Sequence, residues 1–226
     1  MSDLVVIVPS RGRPRVAAEL ARTFEATRST DAELVFAVDR DDPALPEYQG
    51  LLGMVGDSHS MVEALNRTAL DVATRSLNKP FAIGFMGDDH RPRSKGWDRA
   101  YLDALREMGT GIVYGNDLYQ GERIPTQVAM TADIVRTLGY MAPPGLTHLY
   151  VDDCWLQLGR AIGKIRYLPD VVVEHLHPVA GKADWDEGYG RVNSRSMYAR
   201  DQAAYHRWLT ESLPAEAERL RQMMLR

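Results

Sequence analysis

Two adjacent carboxylates, Asp88 and Asp89, close the apolar run in FAIGFMGDDHRPR, residues 81–93. Paired acids at the carboxyl end of a buried strand can hold a hard divalent cation, Mg2+ or Mn2+, through oxygen. The plainer reading is a turn, with a cap for a helix starting near Ser94. Two other strand ends bear on the choice. Ser10, Arg11, Gly12 and Arg13 follow the first strand, and guanidinium and backbone N–H groups beside a helix start suit phosphate. Asp39, Asp41 and Asp42 follow the second, where an acid can accept hydrogen bonds from ribose hydroxyls or a base N–H. Each piece alone reads as a solvated turn. Together they set a basic loop, an acidic loop and an acidic pair on one sheet edge, the place where open α/β folds bind ligands. That combination suits a nucleoside diphosphate with its metal ion.

A second acidic pair, Asp152 and Asp153, lies in LYVDDCWL. Asp152 is expected to be the N-cap of a helix and Asp153, one residue further, to face the cleft as a general base. In VEHLHP, His175 and His177 stand two apart, so strand periodicity puts both imidazoles on one face, and neutral imidazole is a common metal ligand. Lys182, Trp185 and Tyr189 follow in a Gly- and Asp-rich stretch, residues 179–190, expected to be mobile. They either close over a flat, charged ligand or belong to a plain surface loop. His59, His90, His148 and His206 stand alone and carry little weight, and Cys154 reads as buried filler.

The elements that must position these groups alternate. Residues 4–8, 33–38 and 81–85 are continuous apolar runs, the mark of strands buried on both faces. Between them, helices are predicted over residues 14–27, with Val16, Leu20 and Phe24 on one face, and from Ser60 to about residue 74, opened by the capping-box pair Ser60 and Glu63. Residues 39–50 read as a long acidic loop. Trp97, Tyr101, Leu105 and Met108 form a helical stripe. Further on, GIVYGND and PTQVAMT read as strands, the latter leading into a helix that ends near Gly139. A helix over residues 152–162 is stopped by Gly163; two short strands flank Pro169; a last helix covers residues 193–213 before a short charged tail. The result is one α/β domain over residues 1–226 with a mostly parallel sheet, a nucleotide-binding half (1–115) and an acceptor-side half (116–226).

Composition narrows the class. The chain is 45% hydrophobic and 26% charged, as folded proteins are, and its net charge of −4 argues against a general nucleic-acid or membrane-surface binder. A single cysteine excludes an intrachain disulfide and fits a reducing compartment. The opening MSDLVVIVPS lacks the basic start of a signal peptide. No run approaches the about 18 apolar residues of a membrane span, so a cytoplasmic location is expected.

In this order the motifs resemble glycosyltransferases of the GT-A fold, particularly family 2-like enzymes. VVIVPSRGRP, VDRDD, MVEALNRT, FMGDDHRP, VDDCWL and EHLHP carry the resemblance, over residues 4–178. The short form resembles glycosyltransferases encoded by actinobacterial phages. The resemblance implies a nucleoside-diphosphate-sugar donor, a Mn2+ or Mg2+ ion, and a hydroxyl acceptor on a protein, a glycan or a modified base. Pro9, Ser10, Arg11, Arg13, Asp39 and Asp88 would line the donor; Asp89 with His175 or His177 would hold the metal; Asp153 would be the base in an inverting transfer. GDD lacks the family's spaced D-x-D, which leaves the division of labour between Asp88 and Asp89 open, and VDD replaces its E-D, which leaves Asp152 as an alternative base. Two rivals remain. A nucleotidyltransferase needs a glycine-rich, Lys-containing first loop, where SRGRP has only Gly12. A nucleotide-sugar-binding or virion module would keep the fold without turnover.

Overall fold

The computed structural model describes residues 2–51, 53–75, 80–177, 181–182, 190 and 194–225. Its strands are β1 (Leu4–Pro9), β2 (Glu33–Asp39), β3 (Gly53–Gly56), β4 (Ala82–Phe85), β5 (His90–Pro92), β6 (Ile112–Asn116), β7 (Val128–Thr131) and β8 (Ile165–His175). They form one sheet in the order β3-β2-β1-β4-β7-β6-β8-β5. Strands β1 to β4 are parallel, and β7 runs against both β4 and β6. Since β8 is parallel to β6, the carboxyl ends of β1, β2, β4, β6 and β8 share one edge. Pro9, Asp39, Phe85, Asn116 and His175 therefore end on the same side of the sheet.

Helices α1 (Pro14–Thr27) and α3 (Trp97–Met108) cover one face, where Leu4, Val6 and Val8 pack with Leu20, Phe24 and Trp97. Helices α2 (Met61–Thr74), α4 (Ala132–Leu138) and α5 (Val151–Ile162) cover the other, where Val5 and Ile7 pack with Leu65, Val72 and Trp155. Alternate residues of β1 are thus buried on opposite faces, which is why its sequence is apolar without a break. The Ser60 cap of α2 forms, with Glu63 N–H donating to Ser60 Oγ at 3.1 Å, while the Glu63 carboxylate accepts at 2.6 Å from the N–H of His59, one residue before the cap, in place of the Ser60 N–H of a capping box.

Several elements differ from the sequence expectation. The acidic loop contains a 3-10 turn, Leu45–Tyr48, and is followed by an unexpected strand, β3, whose four residues include two glycines. HRP becomes β5, paired with the end of β8 so that His90 faces His175 in register. It separates the acid pair from α3, which starts at Trp97 behind a left-handed Gly96, so neither Asp88 nor Asp89 caps that helix. The two strands expected around Pro169 are one strand with a bulge: Gly115 pairs with Leu168 and Asn116 with Val172. The bulge spares Pro169 a ladder position that its missing N–H could not fill. It also requires Gly115, where a Cβ would lie 2.3 Å from the Val171 carbonyl oxygen. The carboxyl-terminal residues are helical beyond residue 213: α6 (Arg195–Arg207), a π-helical turn (Trp208–Ser212) and α7 (Leu213–Met224), anchored by the buried Leu213, Ala217 and Leu220. Among the described residues no helix is long and apolar enough to cross a membrane.

Candidate active site

The strand ends open into a cavity of about 670 Å3, within the usual range for small-molecule sites. Pro9, Ser10, Arg11, Arg13, Asp39, Asp88 and Asp89 line it, as do His175, His177 and Asp152. Asp153 is not among the lining residues.

The two acids after β4 sit in unlike surroundings. Asp88 accepts from Ser10 Oγ at 2.7 Å and from Arg13 Nη1 at 2.8 Å, and Ser10 is itself 2.8 Å from Tyr48 OH. Burial nonetheless pushes the Asp88 carboxyl up to about 6, against the pull of Arg13. Asp89 is the opposite case. Burial alone would raise it, but His175 and His90 beside it outweigh burial and hold it well below the usual carboxylate range. Its Oδ1 lies 3.5 Å from His175 Nε2 and 3.4 Å from His90 Nδ1.

His90 has no signal in the sequence, because its place depends on the β5–β8 pairing. Its Nδ1 accepts from Gly87 N–H at 3.0 Å, and its ring stacks on that of His175 with centroids 4.3 Å apart and planes at 16°. Burial, then the nearby His175, lowers its pKa. His177 lies just past the end of β8, on the cavity, with its ring 5.0 Å from His175 at 84° and stacked on Tyr119 at 5.6 Å. Burial, then His175, lowers its pKa as well.

These residues fit a divalent cation. One ligand atom from each of Asp89, His90 and His175 lies within 4.8 Å of the others, and His175 Nδ1 is buried without a hydrogen-bond partner. An ionised carboxylate with imidazole nitrogens is a donor set that suits Mn2+ and later transition ions better than Mg2+. Gly87 sets how close the parts come, since a Cβ there would lie 2.7 Å from Asp89 Oδ1 and 3.1 Å from His90 Nδ1. Gly87→Ala is therefore expected to weaken Mn2+ binding by about tenfold or more while the fold persists, as isothermal titration and circular dichroism would register. Unchanged Mn2+ affinity would remove the cluster from the metal site.

The charged groups that follow β1 and β2 are latched together. Arg11 Nη1 is 2.6 Å from Asp41 and 3.5 Å from Asp39 Oδ2, while Asp39 Oδ1 is buried without a partner. Asp42 is structural: its carboxylate accepts from Gly12 N–H at 2.7 Å and from Ala44 N–H at 2.9 Å, tying the first loop to the second.

At the α5 end of the cavity the expected helix start is corrected. The N-cap of α5 is Tyr150, in the left-handed region at φ 63°, and no side chain caps the helix. Asp152 is thus the second helical residue; its Oδ1 accepts from Asp153 N–H at 3.1 Å and it opens onto the cavity. Burial, then the charge of Asp153, pushes Asp152 up to about 6. The segment before α5 is held from α6: the fully buried Asp201 carboxylate accepts from the N–H groups of Thr147, His148 and Leu149 at 3.1, 2.8 and 2.8 Å. Nothing in the sequence singled out Asp201, because a lone acid in a polar helix carries no pattern. Lys182 pairs with Glu174 at 3.0 Å, and Trp185 and Tyr189 lie outside the described residues. Cys154 is packed in the core, its thiol pushed up by burial, consistent with filler.

No protein-family model matches the chain, and no curated protein matches it in sequence. Solved structures match its fold. The mannosyltransferase PcManGT from Pyrobaculum calidifontis, in complex with GDP-Man and Mn2+, aligns over 96% of this chain and 72% of its own with a TM-score of 0.60 at 14% identity. TarS from S. aureus, in complex with UDP-GlcNAc, aligns over 93% and 71% with a TM-score of 0.52 at 12% identity. A mycobacterial protein aligns over 88% and 74% with a TM-score of 0.57 at 12% identity. At such identities the likeness establishes the fold, which is the GT-A-like fold of nucleotide-diphospho-sugar transferases.

Proposed function

We propose that the protein is a metal-dependent glycosyltransferase that moves a sugar from a nucleoside-diphosphate sugar to a hydroxyl acceptor with inversion at the anomeric carbon. The observation that carries this reading is one cavity shared by the Asp89, His90 and His175 cluster, two arginines and a separate carboxylate, Asp152. Asp39 would take the ribose or base through its unpartnered oxygen. Arg11 and Arg13 would reach the diphosphate; each guanidinium has five N–H donors, so its present carboxylate contact leaves others to offer. Asp89 with His175 and His90 or His177 would hold the ion. A bound divalent cation supplies positive charge where the departing diphosphate gathers negative charge.

Asp152 would take the acceptor hydroxyl proton as that oxygen bonds to the anomeric carbon and the bond to the diphosphate oxygen breaks. Attack on the face opposite the leaving group inverts the centre. The Asp152 value of about 6 leaves it mostly ionised at neutral pH and still basic enough to accept a proton. Melting-temperature scans against nucleoside diphosphates, with and without Mn2+, test the donor site. A diphosphate with Mn2+ at 100 times its Kd should add about 2.7 kcal/mol, a rise of roughly 5–10 °C for a chain of this size. The reading fails if none of UDP, GDP, ADP, CDP or dTDP shifts the transition in the presence of Mn2+.

A further inference from the structure

We propose that the acceptor is an uncharged glycoside that stacks on Tyr150; this rests on the transferase reading above and narrows it. The cavity is chemically divided. Its donor part is strongly charged, with Arg11, Arg13, Asp39, Asp88 and Asp89. The part built before and into α5, residues 147–152, together with Met197 of α6, presents neutral groups. Among the described residues there, none is Lys or Arg, and the one carboxylate is Asp152, the proposed base. Thr147 and His148 offer hydrogen-bonding side chains. A phosphorylated or carboxylated acceptor would find no cation at this end and would meet the charge of Asp152.

Tyr150 is the built feature of this wall. It is one of two non-glycine residues at positive φ among those described, at 63°. That conformation is costly for a bulky side chain and persists where surrounding structure enforces it. The enforcement is visible: Asp201 grips the three N–H groups before Tyr150, and Tyr205 packs on the ring at 5.3 Å with planes at 17°. Tyr205 covers one face of the ring, which leaves one face for a ligand, and Tyr150 lines the cavity. A pyranose carries a patch of polarised C–H groups on one side, complementary to the negative face of an aromatic ring, and hydroxyls around its rim for neutral partners. Tyr150 and Asp152 line the same cavity, and a ring held in place before the ligand arrives lowers the ordering cost of binding. A seryl or threonyl hydroxyl of a polypeptide has no ring to place on such a platform.

Saturation-transfer NMR on the protein loaded with Mn2+ and the nucleoside diphosphate of largest thermal shift tests the proposal. The probes are methyl glycosides of glucose, galactose, mannose and N-acetylglucosamine, their 6-phosphates, the corresponding uronates, and a Ser-containing hexapeptide. At least one neutral glycoside should bind, about tenfold or more tighter than its 6-phosphate or uronate. Tyr150→Gly, which accepts positive φ without strain, should weaken that glycoside by about tenfold, and Tyr150→Phe should preserve it. Both variants should keep the nucleoside-diphosphate shift. The assignment is overturned if that shift is present and no neutral glycoside binds, if a phosphorylated, uronate or peptide probe binds tighter, or if Tyr150→Gly binds the glycoside as wild type does. Absence of any nucleoside-diphosphate shift instead strikes the transferase reading itself, and the acceptor assignment with it.

Discussion

Asp152→Asn is expected to lower kcat by about 10²–10⁴ with donor binding intact, because the change removes a proton acceptor and nothing that touches the nucleotide. The variant tests position as well as chemistry. Asp152 faces the cavity and Asp153 does not line it, so Asp153→Asn should turn over within about threefold of wild type, as surface changes away from the chemistry usually do. The pH profile follows from the direction of the Asp152 shift. The base works only when ionised, so kcat should fall about tenfold per pH unit below about 6 and level off above it. Stability moves the other way. A carboxyl raised from 3.8 to about 6 in the folded state contributes stability below its unfolded value, and that contribution is lost as pH rises through about 6. The neutral Asn escapes the loss, and its side-chain oxygen can still accept from Asp153 N–H. At pH 8 the variant should melt at or slightly above the wild-type temperature, by about 1 kcal/mol at most given the solvent screening at the cavity. A variant that melts lower and keeps its kcat would make Asp152 a structural residue. A collapse of kcat in Asp153→Asn alone would return the base to Asp153.

Asp89→Ala should remove the Mn2+-dependent part of nucleoside-diphosphate stabilisation and lower transfer by about 10²–10³. Asp89 is the carboxylate that two imidazoles keep ionised, and its oxygen is the point to which both His90 and His175 converge. Asp88→Asn is the informative comparison. Asp88 is committed to Ser10 and Arg13, so its loss should loosen the donor loop while leaving Mn2+ affinity largely intact. Equal Mn2+ responses in wild type and Asp89→Ala, by thermal shift and titration calorimetry, would exclude Asp89 as the principal ligand.

The amino-terminal half of the sheet was legible in the sequence because β1, β2 and β4 are apolar on both faces and each ends in a charged loop; long buried runs leave a pattern that short edges do not. β5 was illegible for that reason. Three residues containing a proline have no strand signature, yet their pairing with β8 brings His90 onto His175. The bulge at Pro169 split one strand into two in the reading, since proline ordinarily ends a ladder and only the tertiary contact with Gly115 lets this one continue. The acid pair at α5 was located correctly, but the helix cap lies two residues earlier than expected. An Asp before an apolar run is a good cap, and the left-handed Tyr150 that takes the cap position is a conformation no sequence rule assigns to tyrosine. With the cap two residues earlier, Asp152 is the acid that lines the cavity and Asp153 is not.

The proposed function requires this cavity to break the bond between a sugar and a nucleoside diphosphate. The direct measurement is release of free nucleoside diphosphate from UDP-, GDP-, ADP-, CDP- and dTDP-sugars, with neutral methyl glycosides present, in Mn2+ and in EDTA. At least one donor should be consumed, release should require Mn2+, and Asp89→Ala and Asp152→Asn should both suppress it. Intact donors throughout, or consumption of a sugar 1-phosphate and a nucleoside triphosphate with release of pyrophosphate, would contradict it.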